Sequence, residues 1–173
     1  MNHQTKMTSN NDINEILTCY ASGPAELETA LSNLSETQLD SCKAPGEWTI
    51  REIANHIVDG DDIWKVGLKA ALGNEGGLLT FSWYWEKPQI EWAGLWAYSS
   101  RDLSLGLALF KANRAHIVDL INHVPGAWNR SIRICWPRQE ESRISVGEII
   151  EMQVKHVAGH INDIQNILPQ IKE

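Results

Sequence analysis

Two histidines stand one helical turn apart in the segment HVAGH, near the C-terminal end of the sequence. His156 and His160 have the spacing i and i+4, which places both imidazoles on one face of a helix, close enough to share a metal ion. His56 lies in the first half of the chain, at the core-flanking edge of another predicted helix. Three imidazoles from two packed helices can bind a divalent transition metal and leave a fourth position open for water or substrate.

The same histidines also have a simpler interpretation. A pair with this spacing often arises by chance, and single histidines often lie at the edge of a core. The zincin signature HExxH is absent, because Val157 follows His156 and no glutamate stands between the two histidines as a general base. The pattern alone therefore leaves open both a metal site and a purely structural role.

Four amphipathic helices are predicted to position these side chains. Apolar residues recur at helical spacing over about 12–34, 50–72, 100–122 and 146–168. Four helices of this length favour an all-α architecture, with a four-helix bundle as the most economical arrangement.

Capping residues and helix breakers set the expected helix boundaries. Thr49 with Glu52 and Ser145 with Glu148 have the spacing of capping boxes, which mark the starts of the second and fourth helices. Gly23-Pro24 falls inside the first helical pattern, and we expect a kink or a break there because proline cannot donate the helical hydrogen bond.

Two segments between the helices follow other patterns. Residues 73–99 are predicted to be irregular, rich in aromatic residues and too long for a simple hairpin, which implies a crossover or a functional flap. The aromatic residues could form an apolar wall over a metal pocket, pack on the bundle or line a dimer interface. Residues 131–144 alternate weakly around a polar turn and predict a small hairpin. Its arginines could form a solvated face or bind carboxylates of a thiol cofactor: Arg130, Arg133, Arg138 and Arg143.

Composition restricts the class of protein. The chain has 173 residues, 43% of them hydrophobic, which predicts one domain over 11–173 after a disordered polar tail over 1–10. A formal net charge of −7 disfavours nucleic acid as a partner. No apolar run approaches the roughly 18 residues of a membrane span, and the N-terminal residues form no apolar signal segment. Three separated cysteines form neither a disulfide framework nor a CxxC motif, so a cytoplasmic protein is expected.

Two histidine motifs in this sequence resemble those of the DinB/YfiT-like superfamily. They are APGEWTIREIANHIVDGDDIW at 44–64 and HVAGHINDI at 156–164, and the spacing from GPAEL at 23–27 to the end also fits. The resemblance covers most of the chain. It implies a four-helix bundle, often a homodimer, in which His56, His156 and His160 hold zinc or nickel.

The resemblance leaves several functions open, because each would use the same three histidines. A metal ion that lowers the pKa of a bound water supports hydrolysis. Members with a similar fold include S-transferases that use bacillithiol, mycothiol or glutathione, and an open metal position suits a thiolate. We therefore expect a metal-dependent enzyme acting on a small molecule, with a thiol-dependent S-transferase as the first hypothesis. A metal-dependent hydrolase and a non-catalytic metal-binding stress protein are the alternatives.

Two carboxylates lie one turn from these histidines. Asp59 is at i+3 from His56 and Asp163 at i+3 from His160, so each could orient an imidazole or act as a catalytic base. Both could equally be solvated carboxylates at helix edges. Many relatives carry glutamine at the position of Asp163, so their substrates do not transfer to this chain.

Overall fold

The computed structural model describes residues 10–170. In chain order its elements are α1 (Asn10–Leu31), α2 (Glu36–Leu39), α3 (Ile50–Gly73), β1 (Leu78–Leu79), α4 (Ser82–Trp85), α5 (Gln89–Leu95), α6 (Leu103–His123), β2 (Ser131–Cys135), β3 (Glu141–Ser145) and α7 (Val146–Ile167). Residues 1–9 of the predicted tail lie outside the described residues, and its last residue, Asn10, begins α1. The four long helices lie within a few residues of their predicted positions.

The four long helices form the predicted bundle. α1 packs against α6 and α7, and α3 packs against the same two helices, so the four form a closed ring around the core. The helices that carry the three histidines, α3 and α7, are therefore direct neighbours. Among residues 10–170, no helix has both the length and the apolar composition needed to cross a membrane.

Both predicted capping boxes are present. The Thr49 hydroxyl accepts from the Glu52 amide at 3.2 Å, and the Glu52 carboxylate accepts from the Thr49 amide at 2.9 Å. Ser145 and Glu148 make the same reciprocal bonds at 3.2 and 2.7 Å. Each box satisfies amides that would otherwise lack a partner in the first turn. The boxes thus fix where α3 and α7 begin.

Of the kink or break predicted at Gly23-Pro24, the break is wrong, because α1 continues through both residues. Pro24 has no amide hydrogen, so the carbonyl of Tyr20 loses its helical donor. Nη1 of Arg114, from α6, donates to that carbonyl at 2.7 Å instead. A Cβ atom on Gly23 would collide with the same guanidinium. A side chain from another helix therefore compensates for the proline.

The irregular structure predicted over 73–99 is also corrected. This segment contains α4, α5 and β1, and β1 pairs in parallel with β2. β2 and β3 form the predicted antiparallel hairpin, in which Ile132 lies opposite Ile144. Two arginines bond the hairpin region to the end of α3 and the loop after it. Arg130, just before β2, donates to the Leu72 carbonyl, and Arg133 donates to the Gly76 carbonyl.

The aromatic residues of the connection between α3 and α6 pack together against the bundle. Phe81, Tyr84 and Tyr98 are buried, while Trp83 is 49% exposed. Trp85, Trp92 and Trp96 are partly buried against the same core. The Tyr84 ring stacks on the indoles of Trp92 and Trp96, with centroids 5.7 and 6.1 Å apart. Packing on the bundle therefore describes most of this aromatic cluster.

The core has two apolar halves. One half contains the sheet residues and the aromatic connection, and the other contains Ile53, Ile57, Phe110 and Val157. Between the two halves lies a polar layer formed by the backbone of Tyr20 and the buried side chains of Asp61, Arg114 and Gln153. Along each helix, the residue of the polar layer stands between an apolar residue of the sheet-side half and one of the other half. Arg114, for example, stands between Ile117 and Phe110.

Candidate metal centre

The structure brings the three predicted histidines together. His56 comes from α3, and His156 and His160 come from successive turns of α7. Nε2 of His56 lies 3.1 Å from Nε2 of His156, and one nitrogen of each imidazole lies within 4.8 Å of the others. The ring centroids are 4.7 to 5.1 Å apart. The three side chains thus converge on a common point at the α3–α7 interface.

This arrangement fits a divalent transition metal. Two imidazole nitrogens bound tetrahedrally to zinc, each about 2.05 Å from the ion, lie about 3.3 Å apart. The observed separation of 3.1 Å between the nitrogens of His56 and His156 is close to that value. Imidazole is also a donor that zinc and nickel accept, and three such donors leave a coordination position open.

Burial keeps two of the three imidazoles uncharged. The pKa of His56 falls to about 3, because burial disfavours the charged form and His156 and His160 repel a proton there. The pKa of His156 falls to about 4, through burial, His160 and the positive charge of Arg114. Metal binding requires neutral imidazoles, so both residues are in the binding form at neutral pH.

Asp163 lies beside the third histidine. One of its carboxylate oxygens is 3.1 Å from Nδ1 of His160. A carboxylate at this nitrogen accepts the Nδ1 proton, which leaves the lone pair of Nε2 directed at the centre. The i+3 spacing thus places the Asp163 carboxylate beside His160, and its predicted role in orienting that imidazole or in catalysis stays a prediction.

Asp59 makes a different contact. Its two carboxylate oxygens accept from Nη1 and Nη2 of Arg101, at 2.5 and 3.1 Å. Arg101 precedes α6, so Asp59 connects α3 to the end of the aromatic connection. Its predicted part in catalysis stays a prediction.

Two further residues shape the immediate surroundings of the imidazoles. The Trp48 indole lies over His56 with centroids 4.4 Å apart, and 6.0 Å from His160. A Cβ atom on Gly60 would lie 3.4 Å from Cε1 of His156, in ordinary van der Waals contact with that imidazole. The sequence pattern does not predict the position of Trp48 against two histidines.

A cavity of about 570 Å³ opens beside the centre. Its lining includes Trp48, which packs on His56, and Asp163, which bonds His160. The other lining residues are Lys43, Gly46, Glu47, Ile53, Gln89, Ile90, Asn166 and Ile167. The connection therefore contributes the first residues of α5 to this cavity, while its tryptophans pack elsewhere.

Sequence reasoning missed the polar layer. Arg114 falls between Phe110 and Ile117 in the apolar stripe of α6, and Asp61 falls between Ile57 and Leu68 of α3. Charged residues at such inward positions are almost never fully buried unless they are paired. A search for opposite charges within predicted core stripes would therefore have found this pair.

Comparison with known proteins identifies related chains and folds. Residues 20–164 match the sequence profile of the DinB superfamily. A protein of Oceanobacillus iheyensis, named for an inferred metal-dependent hydrolase activity, is 26% identical over 156 residues, which are 90% of this chain and 85% of that protein. A Bacillus licheniformis protein with the same inferred activity is 33% identical over 87 residues, which are 50% of this chain and 46% of that one.

Two solved structures share the fold. YfiT of Bacillus subtilis, described as an inferred metal-dependent hydrolase with an unusual four-helix bundle topology, aligns with a TM-score of 0.80 at 19% identity, over 98% of this chain and 93% of its own. A mycothiol-dependent maleylpyruvate isomerase aligns with a TM-score of 0.64 at 16% identity, over 91% of this chain and 63% of that one.

Proposed function

Because the chain belongs to the DinB superfamily, we propose that it is a metal-dependent hydrolase acting on a small molecule, with the ion held by His56, His156 and His160. The observation that carries this proposal is the convergence of the three imidazoles, with 3.1 Å between the nitrogens of His56 and His156. The metal-dependent hydrolase activity inferred for the related proteins supports the same class of reaction.

His56 and His156 supply neutral donors from a partly desolvated site. Burial lowers the pKa of His56 and His156 well below neutrality, so neither imidazole has to lose a proton before it binds the ion. When bound, a divalent ion of this kind supplies Lewis acidity, which polarises a substrate carbonyl and lowers the pKa of a coordinated water.

Asp163 has two tasks in this proposal. It accepts the Nδ1 proton of His160 and so orients that imidazole. It also lines the cavity, and its side chain is 56% exposed, so a carboxylate oxygen can accept a proton from water or substrate there. Asp59 is held by Arg101 and would have to leave that ion pair to act as a base, which makes Asp163 the stronger candidate.

The cavity supplies the binding surface for an organic substrate. The indole of Trp48 and the side chains of Ile53, Ile90 and Ile167 are apolar, while Lys43 and Glu47 carry opposite charges. Such a mixture of apolar surface with a few polar groups is typical of small-molecule sites. The substrate thus binds beside the imidazoles, against the indole that covers His56.

Elemental analysis of protein purified without a histidine tag tests the metal. We expect one transition-metal ion per chain in the wild type and none after His56, His156 and His160 are all replaced by alanine. His116→Ala removes an exposed imidazole from α6 and is the matched control. Unchanged metal content in the triple variant would refute the assignment.

Thiol transfer is the second candidate, supported by the fold shared with a mycothiol-dependent isomerase. Turnover of esters or amides by the metal-loaded protein without thiol favours hydrolysis. Formation of a conjugate only when a thiol and an electrophile are both present favours an S-transferase using bacillithiol, mycothiol or glutathione. Bound metal without turnover in either panel would favour the non-catalytic metal-binding protein. Zinc or nickel as the ion, a homodimer and a cytoplasmic location stay predictions.

A further inference from the structure

We propose that Arg114 is a positioning residue of the metal centre, and that it holds α3 and α7 at the spacing that the three histidines require. The inference rests on the proposed metal site and extends it to α6, a helix that carries none of the three ligands. The guanidinium side chain is 1% exposed, so its contacts are made inside the bundle.

One guanidinium bonds three other helices. Nε of Arg114 donates to the carboxylate of Asp61 on α3 at 2.9 Å. Nη2 donates to the backbone carbonyl of Gln153 on α7 at 3.3 Å, and Nη1 donates to the carbonyl of Tyr20 on α1 at 2.7 Å. Arg114 therefore fixes the distance between the two metal-bearing helices and also ties both to α1.

These bonds lie close to the ligands along each helix. Asp61 follows His56 by five residues, and Gln153 precedes His156 by three. At 1.5 Å per residue, the bonds lie about 7.5 and 4.5 Å along the helix axes from the two imidazoles. A change in helix spacing at the polar layer would therefore alter the 3.1 Å separation between the two Nε2 atoms.

Stability alone gives little reason for a buried charge at this place. An apolar replacement for a buried ion pair is often neutral or stabilising, because both charges have lost their hydration. The chain nevertheless adapts α1 to this residue, since Gly23 leaves space for the guanidinium and Pro24 leaves the Tyr20 carbonyl free to accept from it. The rings of Tyr20 and Phe110 both lie against the guanidinium, with centroids 4.2 and 4.6 Å from Cζ. Such a pre-formed pocket holds the guanidinium in one orientation, as a spacer between helices requires.

Titration of the metal-free full chain with Co²⁺ tests the inference, because the visible spectrum of the bound ion reports its coordination geometry. We expect Arg114→Met to bind Co²⁺ about 10- to 100-fold more weakly than the wild type, the scale of lost supporting contacts at metal sites, and to show an altered spectrum. Arg114→Lys keeps the charge beside Asp61 but lacks the planar fork that reaches both carbonyls, so its affinity should lie between the two. It is the substitute should the methionine variant not fold.

Ile117→Ala is the matched control, because Ile117 is fully buried one turn further along α6 and contributes only to the apolar core. Measured at a temperature where circular dichroism shows all variants folded, it should keep the wild-type affinity and spectrum. If Arg114→Met, or Arg114→Lys where the methionine variant does not fold, binds Co²⁺ as tightly as the wild type, the inference is overturned. The proposed metal site itself would not be affected by that result. Equal weakening in Ile117→Ala would also overturn the inference, since lost stability would then explain the effect. A wild type that binds no Co²⁺ would refute the metal site itself.

Discussion

The carboxylate of Asp163 lies 3.1 Å from Nδ1 of His160, one turn earlier on α7. The contact joins the metal centre to the cavity, because Asp163 is also part of the cavity lining. The residue can thus affect both how the ion is bound and what is bound next to it.

Removal of this carboxylate should weaken metal binding. We expect Asp163→Ala to lower the affinity about 10- to 100-fold, because His160 loses the acceptor that fixes its tautomer and ring orientation. Asp163→Asn should lower the metal affinity less, since the amide oxygen can still accept from Nδ1 of His160. Competition with a chelator measures the affinities. Asp119→Ala, which removes an exposed carboxylate beside His123 on α6, is the control and should leave binding unchanged.

Acid should destabilise the metal-free protein. The pKa values of His56 and His156 in the folded state are about 3 and about 4, below the ordinary value of 6.5 for a solvated histidine. Between these values the unfolded chain binds protons that the folded chain does not, so the free energy of unfolding falls as the pH drops from about 6.5 to about 4. Urea unfolding at a series of pH values, with a chelator present, measures the slope. Replacement of both histidines by asparagine should reduce it, and an equal slope in that variant would contradict the assignment.

Trp48 should contribute to stability through its ring rather than its N–H group. Among the described residues, no hydrogen-bond partner is found for its buried Nε1. We expect Trp48→Ala to lower the free energy of unfolding by about 2–3 kcal/mol, through lost packing on His56 and the core. Trp48→Phe keeps an aromatic ring and should cost less than about 1 kcal/mol. Denaturant unfolding compares the two, and equal losses would show that the N–H group is bonded after all.

Replacement of two helical glycines by alanine should change the free energy of unfolding in opposite directions. Gly23→Ala places a methyl group against the guanidinium of Arg114, and we expect a loss of about 1–3 kcal/mol. Gly159→Ala on α7 meets open space, so the better helix propensity of alanine should add up to about 1 kcal/mol. Thermal or urea unfolding of the metal-free proteins gives both values. A gain from Gly23→Ala would mean that Arg114 moves aside at little cost.

Features that depend on local sequence could be predicted. The capping boxes at Thr49 and Ser145 and the 3.6-residue apolar period locate α3 and α7, and the spacing of His156 and His160 places both on one helix face. The depth of His56 within its own helix made it a candidate third ligand, and the resemblance to the DinB/YfiT-like motifs implied the full set of three. Apart from that resemblance, these inferences need only the geometry of a single helix.

Features that depend on contacts between distant elements could not be predicted. Proline at position 24 predicts a break, and nothing nearby in sequence shows that Arg114 would bond the free carbonyl of Tyr20. The parallel pairing of β1 with β2 brings together segments far apart in the chain. The spacing of Asp59 gives its angle around α3 but not its neighbour, and that neighbour is Arg101 rather than an imidazole.

The polar layer also makes the effects of mutations in the two halves of the core largely independent of each other. Substitutions in the sheet-side half of the core share few partners with the histidines on the other side of Arg114, and effects at separated sites without shared partners usually add. Hairpin positions such as Ile132 and Ile144 are therefore places where thermal stability can be engineered independently of the three-histidine cluster.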